Sequence, residues 1–363
     1  MTDKYVIDHH KIMFHPERIA FWLKAQNNWK EAKKVYPIYV EISSSGFCNH
    51  RCKFCALDYL GYKSGFADFK NLKKAIKDMA EGGVKSIQFG GEGEPLLHPK
   101  IKEIVKYTKS LGIDISFTTN GAFLKKEILK DILPLITWIK VSIDAGRPET
   151  HMKIHRPKIQ DFNIIMDNLK KAVEIRKTTK SKCTLGGQML LLPDNYKEAV
   201  ILAKKLKKIG LDYLIIKPYS QHRKSITKEY ENLSYKKYFY LKNELKKLNS
   251  NRFQVIFREN TMGKLGRSRG YKVCHAVPFF WAYVMANGDV YSCSSFLGDD
   301  EFQLGNYNQK SFKEIWEGEK RRKHWKFVRN KLDINQCREN CRMDEVNRYL
   351  ERLNNPPEHV NFI

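Results

Sequence analysis

The stretch PIYVEISSSGFCNHRCKFC, residues 37–55, decides the fold of this chain. Its first half, PIYVEISS (37–44), predicts a β-strand because β-branched and aromatic residues favour the pleated conformation. Its second half predicts a long loop with three cysteines, Cys48, Cys52 and Cys55, spaced C-x3-C-x2-C. A loop at the carboxyl end of a strand lies where parallel α/β arrays collect their ligands and active sites.

Strands and helices alternate outward from this stretch to about residue 217. The further predicted strands are 84–91, 113–120, 136–144, 182–192 and 211–218. The predicted helices are 68–83, 99–112, 124–132, 161–178 and 194–209. Strand–helix steps of about 30 residues indicate a parallel sheet with right-handed crossovers. The expected fold class is therefore α/β, with a partial (β/α)6 TIM-like barrel, since eight units need more chain.

The remaining residues divide into smaller units. The predicted organisation is an N-terminal helical lead-in (1–36), the barrel (37–230), a connecting helix and strand (231–270), a small C-terminal domain (271–345) and a tail (346–363). Asn287-Gly288 in the C-terminal domain predicts the turn of a β-hairpin.

Charge and hydropathy restrict the class of protein. The chain has 66 Lys+Arg against 40 Asp+Glu, a net charge of +26. Such a balance attracts nucleic acid, anionic lipid or phosphorylated small molecules, but a lysine-rich solvated surface explains it equally. There is no apolar run of about 18 residues and no signal-peptide pattern at the start, so we expect a cytoplasmic protein without a membrane span.

Seven of the eight cysteines form two groups, and in a reducing compartment such spacing favours metal over disulfides. Three close thiolates can hold three corners of a [4Fe–4S] cube and leave the fourth iron for an exogenous chelate. His50 could instead supply the fourth ligand of a closed zinc site, and spacing alone leaves this alternative open.

The pattern C-x3-C-x-aromatic-C, with Phe54 as the aromatic residue, resembles the signature of the radical S-adenosylmethionine (SAM) superfamily. The resemblance covers roughly residues 37–220. It implies a [4Fe–4S] cluster with three cysteine ligands, and SAM as the cofactor bound at the fourth iron. It also implies reductive cleavage of SAM to a 5′-deoxyadenosyl radical, which removes a hydrogen atom from the substrate.

Companion motifs end the following strands. Gly90-Gly91-Glu92 lies within GGEGEP (90–95) and is similar to the family's GGE motif for the amino group of SAM, where a carboxylate suits an ammonium. The other residues that the resemblance assigns to SAM are Thr119, Asn120, Ser142, Asp144, Arg156 and Leu190. Arg147 is a rival to Arg156 for the cofactor's carboxylate, and Leu190 could equally be a core residue.

The second group comprises Cys274, Cys293, Cys337 and Cys341. Four thiolates favour a closed zinc or [4Fe–4S] site. The spacing C-x13-G-x4-C resembles the opening of the SPASM extension of radical SAM enzymes, whose shortened version is called twitch. The resemblance implies one auxiliary [4Fe–4S] cluster with four cysteine ligands, because only four cysteines remain. Cys183 is expected to be a buried small hydrophobe, with hydrogen donation to a substrate radical as the alternative.

The resemblance implies an oxidoreductase in which the auxiliary cluster takes the second electron from the substrate radical. Lys217 and His222, in KPYSQHR (217–223) after strand 6, are candidate catalytic residues that could accept the proton. Asp58 and Tyr59 could border the pocket.

The expected substrate is a small molecule of carbohydrate type, which could be phosphorylated or nucleotide-linked. The expected reducing partner is a flavodoxin or ferredoxin, and neither a membrane nor a nucleic acid is expected. The alternatives are a peptide or protein maturase, and an RNA-modifying or RNA-binding protein.

Overall fold

The computed structural model describes residues 4–63, 65–157 and 161–362. One ten-stranded sheet organises them, in the order β10-β9-β8-β1-β2-β3-β4-β5-β6-β7. The strands are β1 Tyr39–Ile42, β2 Ser86–Phe89, β3 Asp114–Thr119, β4 Trp138–Ser142, β5 Thr184–Leu191, β6 Tyr213–Pro218, β7 Gln254–Phe257, β8 Trp281–Val284, β9 Asp289–Tyr291 and β10 Gln303–Asn306.

Neighbouring strands from β1 to β7 pair in parallel. The helices are α1 Pro16–Ala25, α2 Trp29–Ala32, α3 Phe69–Glu81, α4 Ile101–Ser110, α5 Lys126–Ile132, α6 Pro148–His155, α7 Asp161–Thr178, α8 Ala199–Ile209, α9 Leu241–Lys246, α10 Glu259–Gly263, α11 Phe312–Glu317, α12 Glu319–Asn330 and α13 Asp344–Asn354. Within the described residues, no helix is long and apolar enough to cross a membrane.

The predicted fold class is confirmed, with two additions. The segment FQVIFREN forms β7, so the parallel array has a seventh strand beside β6. The predicted hairpin forms from β8 and β9, and β8 pairs in parallel with β1. The hairpin of the small C-terminal domain therefore continues the barrel sheet. The domain boundaries given above stay a prediction.

Two faces of the sheet differ in chemistry because successive side chains of a strand point to opposite sides. One face carries residues such as Val40, Ile87 and Val141, which lie in the main apolar core with the helices. The other face encloses the lumen of the barrel. Glu41 and Gln88 lie on it, paired in register between β1 and β2.

A cluster of apolar side chains fills part of the lumen at the amino ends of the strands. Tyr213, Ile215 and Ile256 form a separate buried cluster there, and Tyr5 and Ile7 pack against it. The carboxyl ends of the strands are thus left as the polar end of the barrel.

Arg321 on α12 joins the helical lead-in to the C-terminal half. Its side chain is fully buried and donates to the carbonyl oxygens of Pro278 at 3.1 Å, Trp316 at 2.7 Å and Val35 at 3.1 Å. The guanidinium also lies 4.1 Å from the centre of the Trp316 ring. One side chain therefore satisfies buried carbonyls from three separate segments.

We expect Arg321→Met to lower the free energy of unfolding by about 3 kcal/mol, because it leaves several buried carbonyl oxygens without donors. Chemical denaturation followed by circular dichroism measures this loss. Arg322→Met is the matched control, since the neighbouring Arg322 side chain is 42% exposed and pairs with Glu319 at the surface. Equal effects of the two substitutions would contradict the role given to Arg321.

Candidate active site

The loop with Cys48, Cys52 and Cys55 lies at the carboxyl edge of the barrel. The backbone of Lys53 donates to the carbonyl of Ile154 at 2.9 Å, which ties the loop to the end of α6. On the other side, the N–H of Glu94 donates to the carbonyl of Phe47 at 2.8 Å. The loop is therefore anchored between the turns that follow β2 and β4.

Burial raises the pKa of all three thiols, and that of Cys48 reaches about 12. The charges of Cys55 and Cys48 add to the rise for Cys52, so the three groups lie within electrostatic reach of one another. Iron ligation has to displace these protons, which makes cluster loading depend on pH. Three convergent thiols fit a [4Fe–4S] cluster with an open corner.

Two histidines stand beside Cys52. The Nδ1 atom of His155 lies 3.2 Å from the Cys52 sulfur, and its Nε2 atom lies 2.8 Å from the carbonyl oxygen of Ile143. His50 lies 2.9 Å from a carboxylate oxygen of Asp161. The ligand atoms of His50, Cys52 and His155 all lie within 4.8 Å of one another, close enough to share one metal ion. The sequence suggested His50 as a rival ligand but gave no sign of His155.

The GGEGEP turn contains two glutamates that point to different partners. Glu92 accepts a hydrogen bond from the N–H of Ala286 at 2.9 Å, so its carboxylate ties the turn to the hairpin. Gly91 has φ of +101°, and a Cβ atom there would lie 2.1 Å from the Ser43 hydroxyl. Only glycine fits such a position, since its neighbour is buried and its backbone is left-handed.

Glu94 occupies the side of the turn that faces the cysteine loop. Its carboxylate accepts from the Thr119 hydroxyl at 2.6 Å and from the N–H of Asn120 at 2.8 Å. Burial raises its pKa to about 7, and its charge in turn raises the pKa of Cys48. Sequence reasoning chose Glu92 and missed Glu94, although the second Gly-Glu pair of GGEGEP was the available signal.

The predicted residues at the ends of β3 and β4 are brought to the same edge. Asn120 donates to the side-chain oxygen of Asn49 in the cysteine loop at 2.6 Å. Ser142 accepts from the Gln188 amide at 3.3 Å. Asp144, fully buried with φ of +53°, accepts from the N–H of Leu190 and lies 3.2 Å from His155. Asp144 therefore links β4 to β5 and to the histidine beside Cys52.

The two rival arginines differ in their surroundings. Arg147 pairs with Glu198 at 3.4 Å. Arg156 lies at the C-cap of α6 with φ of +48°, and its side chain has no hydrogen bond or ion pair with the described residues. This difference favours Arg156 as the partner of a ligand carboxylate.

Phe54 and Leu190 form an apolar wall at the edge of the barrel. They belong to one small cluster with Ile154 and Tyr219, separate from the main core. This position is compatible with Leu190 as a residue that contacts SAM and as a core residue, since a residue of the cluster can pack and also border a ligand.

The four cysteines of the second group also converge. Cys293 is buried, and its pKa is raised by burial and by the charges of Cys341, Cys274 and Cys337. Burial raises the pKa of Cys337 to about 12 and that of Cys341 to about 11. The Asn347 amide lies 3.5 Å from the sulfur of Cys274. The donor set thus fits a site with four thiolate ligands.

Cys183 lies in the main apolar core with 2% of its surface exposed, as expected of a small buried hydrophobe.

The segment after β6 contacts both cysteine groups. The Ser225 hydroxyl donates to the carbonyl of Cys55 at 3.2 Å, and Asp58 accepts from the N–H groups of Ile226 and Thr227 at 2.9 Å each. Arg338, next to Cys337, donates to the Ser220 hydroxyl at 2.9 Å. The segment therefore bridges the two groups.

His222, within this segment, stacks on Tyr59 with ring centres 5.1 Å apart. Burial lowers the pKa of His222 to about 4, so the imidazole is neutral near pH 7. Lys217 at the end of β6 is mostly buried, and burial lowers its pKa well below the ordinary value. The neutral imidazole of His222 can accept a proton at neutral pH, and the lowered pKa of Lys217 favours the same role.

A cavity of about 760 Å³ lies beside the second cysteine group, between the segments 258–272 and 332–348. Cys337 and Cys341 line it, together with Arg258 and Arg342. The cavity is large enough for a small molecule.

Comparisons with known proteins agree with this geometry. The radical SAM superfamily model matches residues 42–206, and the SPASM model, described as an iron–sulfur cluster-binding domain, matches residues 274–342. A radical SAM domain and a C-terminal SPASM domain are therefore both present in the chain. The radical SAM domain implies a [4Fe–4S] cluster with SAM, and the SPASM domain implies auxiliary iron–sulfur clusters. The individual ligands and the number of auxiliary clusters remain proposals.

Among curated proteins, the chain is 29% identical over 182 residues to a tungsten-containing aldehyde ferredoxin oxidoreductase cofactor-modifying protein of Pyrococcus furiosus, covering 49% of this chain and 50% of that protein. It is 36% identical to an S-adenosylmethionine-dependent nucleotide dehydratase of Flammeovirga pacifica, over 30% of this chain and 39% of that protein. It is 32% identical to a GTP 3',8-cyclase of Chlorobaculum tepidum, over 36% of this chain and 40% of that protein. The chain thus spans half or less of the length of each of these relatives.

Solved structures show the same fold at low sequence identity. Streptococcus suis SuiB bound to S-adenosylmethionine has a TM-score of 0.60 and 18% identity, covering 78% of this chain and 66% of that chain. Native anSMEcpe with bound AdoMet also has a TM-score of 0.60 and 18% identity, covering 88% and 99%.

We expect the anaerobically reconstituted protein to bind about eight irons per chain, in two four-iron clusters. Cys48→Ala and Cys337→Ala should each bind about four, because each removes a ligand of a different cluster. Iron and sulfide analysis with electron paramagnetic resonance measures this. Cys183→Ala is the control and keeps the full content. Unchanged iron in Cys337→Ala would contradict the second cluster.

We expect Glu94→Gln to weaken SAM binding at least about tenfold, because an amide cannot accept from both Thr119 and Asn120 as the carboxylate does. Glu92→Gln should change SAM affinity less, since Glu92 holds the hairpin through Ala286. Equilibrium dialysis with labelled SAM compares the two variants. A larger loss in Glu92→Gln would assign the cofactor to Glu92.

Proposed function

We propose that this enzyme oxidises a small molecule of carbohydrate type by radical chemistry at the first cysteine group and electron transfer at the second. The observation that supports this proposal is that the segment after β6 contacts both cysteine groups. Ser225 contacts the loop of Cys55, and Arg338 beside Cys337 contacts Ser220. A substrate at this segment would lie between the two cysteine groups, which supports a reaction that uses both.

A [4Fe–4S] cluster and SAM bound at the first cysteine group would supply the difficult chemistry, which is reductive cleavage of SAM coupled to removal of a hydrogen atom from the substrate. A substrate CH–OH group that loses this hydrogen atom, and afterwards one proton and one electron, becomes a carbonyl. A cluster held by the second cysteine group would accept this electron, and a flavodoxin or ferredoxin would take it from there and supply one electron to the first cluster.

Residues of the chain would hold the reactants and take the proton. Cys48, Cys52 and Cys55 would hold the cluster of the first site. Phe54 and Leu190 provide an apolar wall that excludes water from the reacting atoms. The proton goes to Lys217 or His222, since burial lowers the pKa of both groups and keeps the imidazole of His222 neutral near pH 7.

Sequence relatives support a small substrate. Two of them are named for reactions on nucleotides, the nucleotide dehydratase and the GTP 3',8-cyclase, and each is more than 30% identical over the matched residues. Their overlap covers only 30% and 36% of this chain, so the support extends to the class of substrate and not to the reaction.

A peptide or protein maturase is the second candidate. It is favoured by structural relatives that carry peptides, SuiB with the precursor peptide SuiA and anSMEcpe with the Cp18Cys peptide. Both are 18% identical, which carries the fold and no more. An RNA substrate is a third and weaker candidate, and it predicts tRNA binding that falls steeply with salt.

We expect Cys48→Ala to form no 5′-deoxyadenosine under dithionite, because the cluster that reduces SAM is lost. Cys337→Ala should still form 5′-deoxyadenosine but should not convert substrate to the carbonyl product, because the second electron has no acceptor. Anaerobic incubation with a panel of sugar phosphates, nucleotides and short peptides, analysed by mass spectrometry, measures both products. Cys183→Ala is the control and behaves as the wild type.

Two outcomes would overturn the proposal. Product formation by Cys337→Ala at the wild-type rate would remove electron transfer through the second group. Conversion of peptides, with sugar phosphates and nucleotides left unchanged, would select the maturase.

A further inference from the structure

Two lysines project into the lumen of the barrel. Lys140 lies on β4 between Ile139 and Val141, which are both buried in the core on the helix side of the sheet. Because side chains alternate along a strand, Lys140 points to the opposite face, into the lumen. Lys217 follows Ile216 on β6, which also belongs to the helix-side core, so Lys217 has the same orientation.

Neither ammonium has a hydrogen bond or an ion pair with any residue that the structure describes. The ring of Trp138 lies 5.4 Å from the Lys140 nitrogen, which is a contact with an aromatic face and not with an anion. Both side chains are mostly buried. An ammonium removed from water without a counter-charge is costly, and a stable site normally supplies one.

The charges around the two lysines are mainly positive. Those that act on Lys140 or Lys217 are Arg258, Arg338, Arg342, Glu41 and Asp144. Two of the arginines are already paired with carboxylates, Arg342 with Glu41 and Arg258 with Asp8. The two lysines and Arg338 then face the single carboxylate of Asp144. The lumen therefore has an excess of positive charge that its own carboxylates do not neutralise.

We propose that Lys140 and Lys217 form an anion-binding subsite in the lumen, and that the substrate carries a doubly charged phosphate group which both lysines hold. This assignment rests on the proposed function, because it places the substrate of that reaction in the lumen. Two uncompensated cations match a dianion, whereas a single carboxylate would neutralise one of them.

Further features of the subsite agree with a phosphate. Arg338 lies within electrostatic reach of Lys217, so a phosphate between the lysines gains a third cation, whereas Arg258 is already paired with Asp8. Burial lowers the pKa of Lys140 to about 8, and a bound dianion would raise it again. Lys217 then serves as a charge partner of the substrate, and His222 remains as the proton acceptor.

Calorimetric titration of the anaerobic holoenzyme with ribose 5-phosphate tests this, at an ionic strength held constant with sodium chloride. We expect saturable binding by the wild type, and at least tenfold weaker binding by Lys140→Met and by Lys217→Met. Lys140→Arg should retain binding within a few fold, because it keeps the charge. Lys130→Met, on the exposed face of α5, is the matched control and should bind as the wild type does.

Ribose without phosphate and acetate are the comparison ligands, and we expect neither to show affinity that depends on the two lysines. Three results would overturn the proposal: no saturable binding of ribose 5-phosphate by the wild type, equal affinity in the two lumen variants and Lys130→Met, or an acetate affinity with the same dependence on the lysines.

A loss of SAM affinity in the lumen variants, with phosphate binding unchanged, would instead assign the lysines to the carboxylate of SAM and would also overturn it. Thermal melts in anion-free buffer separate folding defects from binding defects. Removal of an uncompensated buried cation should leave the melting temperature unchanged or raise it, while a lysine with a purely structural role would lower it.

This experiment can fail independently of the proposed function. If the holoenzyme binds its clusters and forms 5′-deoxyadenosine but shows no lysine-dependent phosphate binding, the proposed subsite is wrong and the proposed function is unaffected. If the holoenzyme binds ribose 5-phosphate through the lysines but forms no 5′-deoxyadenosine, the proposed reaction is wrong and the subsite is unaffected.

Discussion

The parallel pairing of β8 with β1 is the constraint on which the arrangement of the two cysteine groups depends. Tyr39 pairs with Trp281 and Ile42 with Val284, so the hairpin is held in a fixed register beside the first strand of the barrel. The loop with Cys48 leaves β1, and Cys293 follows the hairpin. Cys48 and Cys293, which are separated by more than 200 residues in sequence, thereby follow strands of one sheet.

The same sheet separates two kinds of interior. Its outer face is apolar and packs against the helices, while its inner face presents charged and polar side chains to the lumen. Parallel strands bring all their carboxyl ends to one edge, which is why turns that are distant in sequence, such as those at Glu94 and Asn120, are joined by short hydrogen bonds. Burial raises the pKa of the thiols and lowers the pKa of the lumen lysines, and a bound metal or anion would oppose these shifts.

The sequence was sufficient for the order of the first six strands, because hydrophobic periodicity and glycine or polar residues at strand ends are local signals. It was also sufficient for grouping the cysteines and for the hairpin at Asn287-Gly288. It was not sufficient for the difference between Glu92 and Glu94, because both follow glycine in the same turn and only the fold decides which one faces the cysteine loop. His155 was missed for a related reason: it lies 103 residues from Cys52, and no local pattern connects them. No sequence pattern predicted that Lys140 and Lys217 face the lumen, because a lysine in a strand of a lysine-rich chain does not reveal which face of the sheet it occupies.

Arg338 and Arg342 lie on either side of Cys341 in one short loop, and they reach opposite walls of the lumen. Arg338 contacts Ser220 after β6, and Arg342 contacts Glu41 on β1. A cluster held in part by the cysteines of this loop would gain a negative charge close to both guanidinium groups when it took up an electron. The positive potential of the lumen would then decrease, and with it the attraction for any anion inside. Oxidation of the substrate would therefore loosen the enzyme's hold on the product, so that completion of the redox step itself promotes product release.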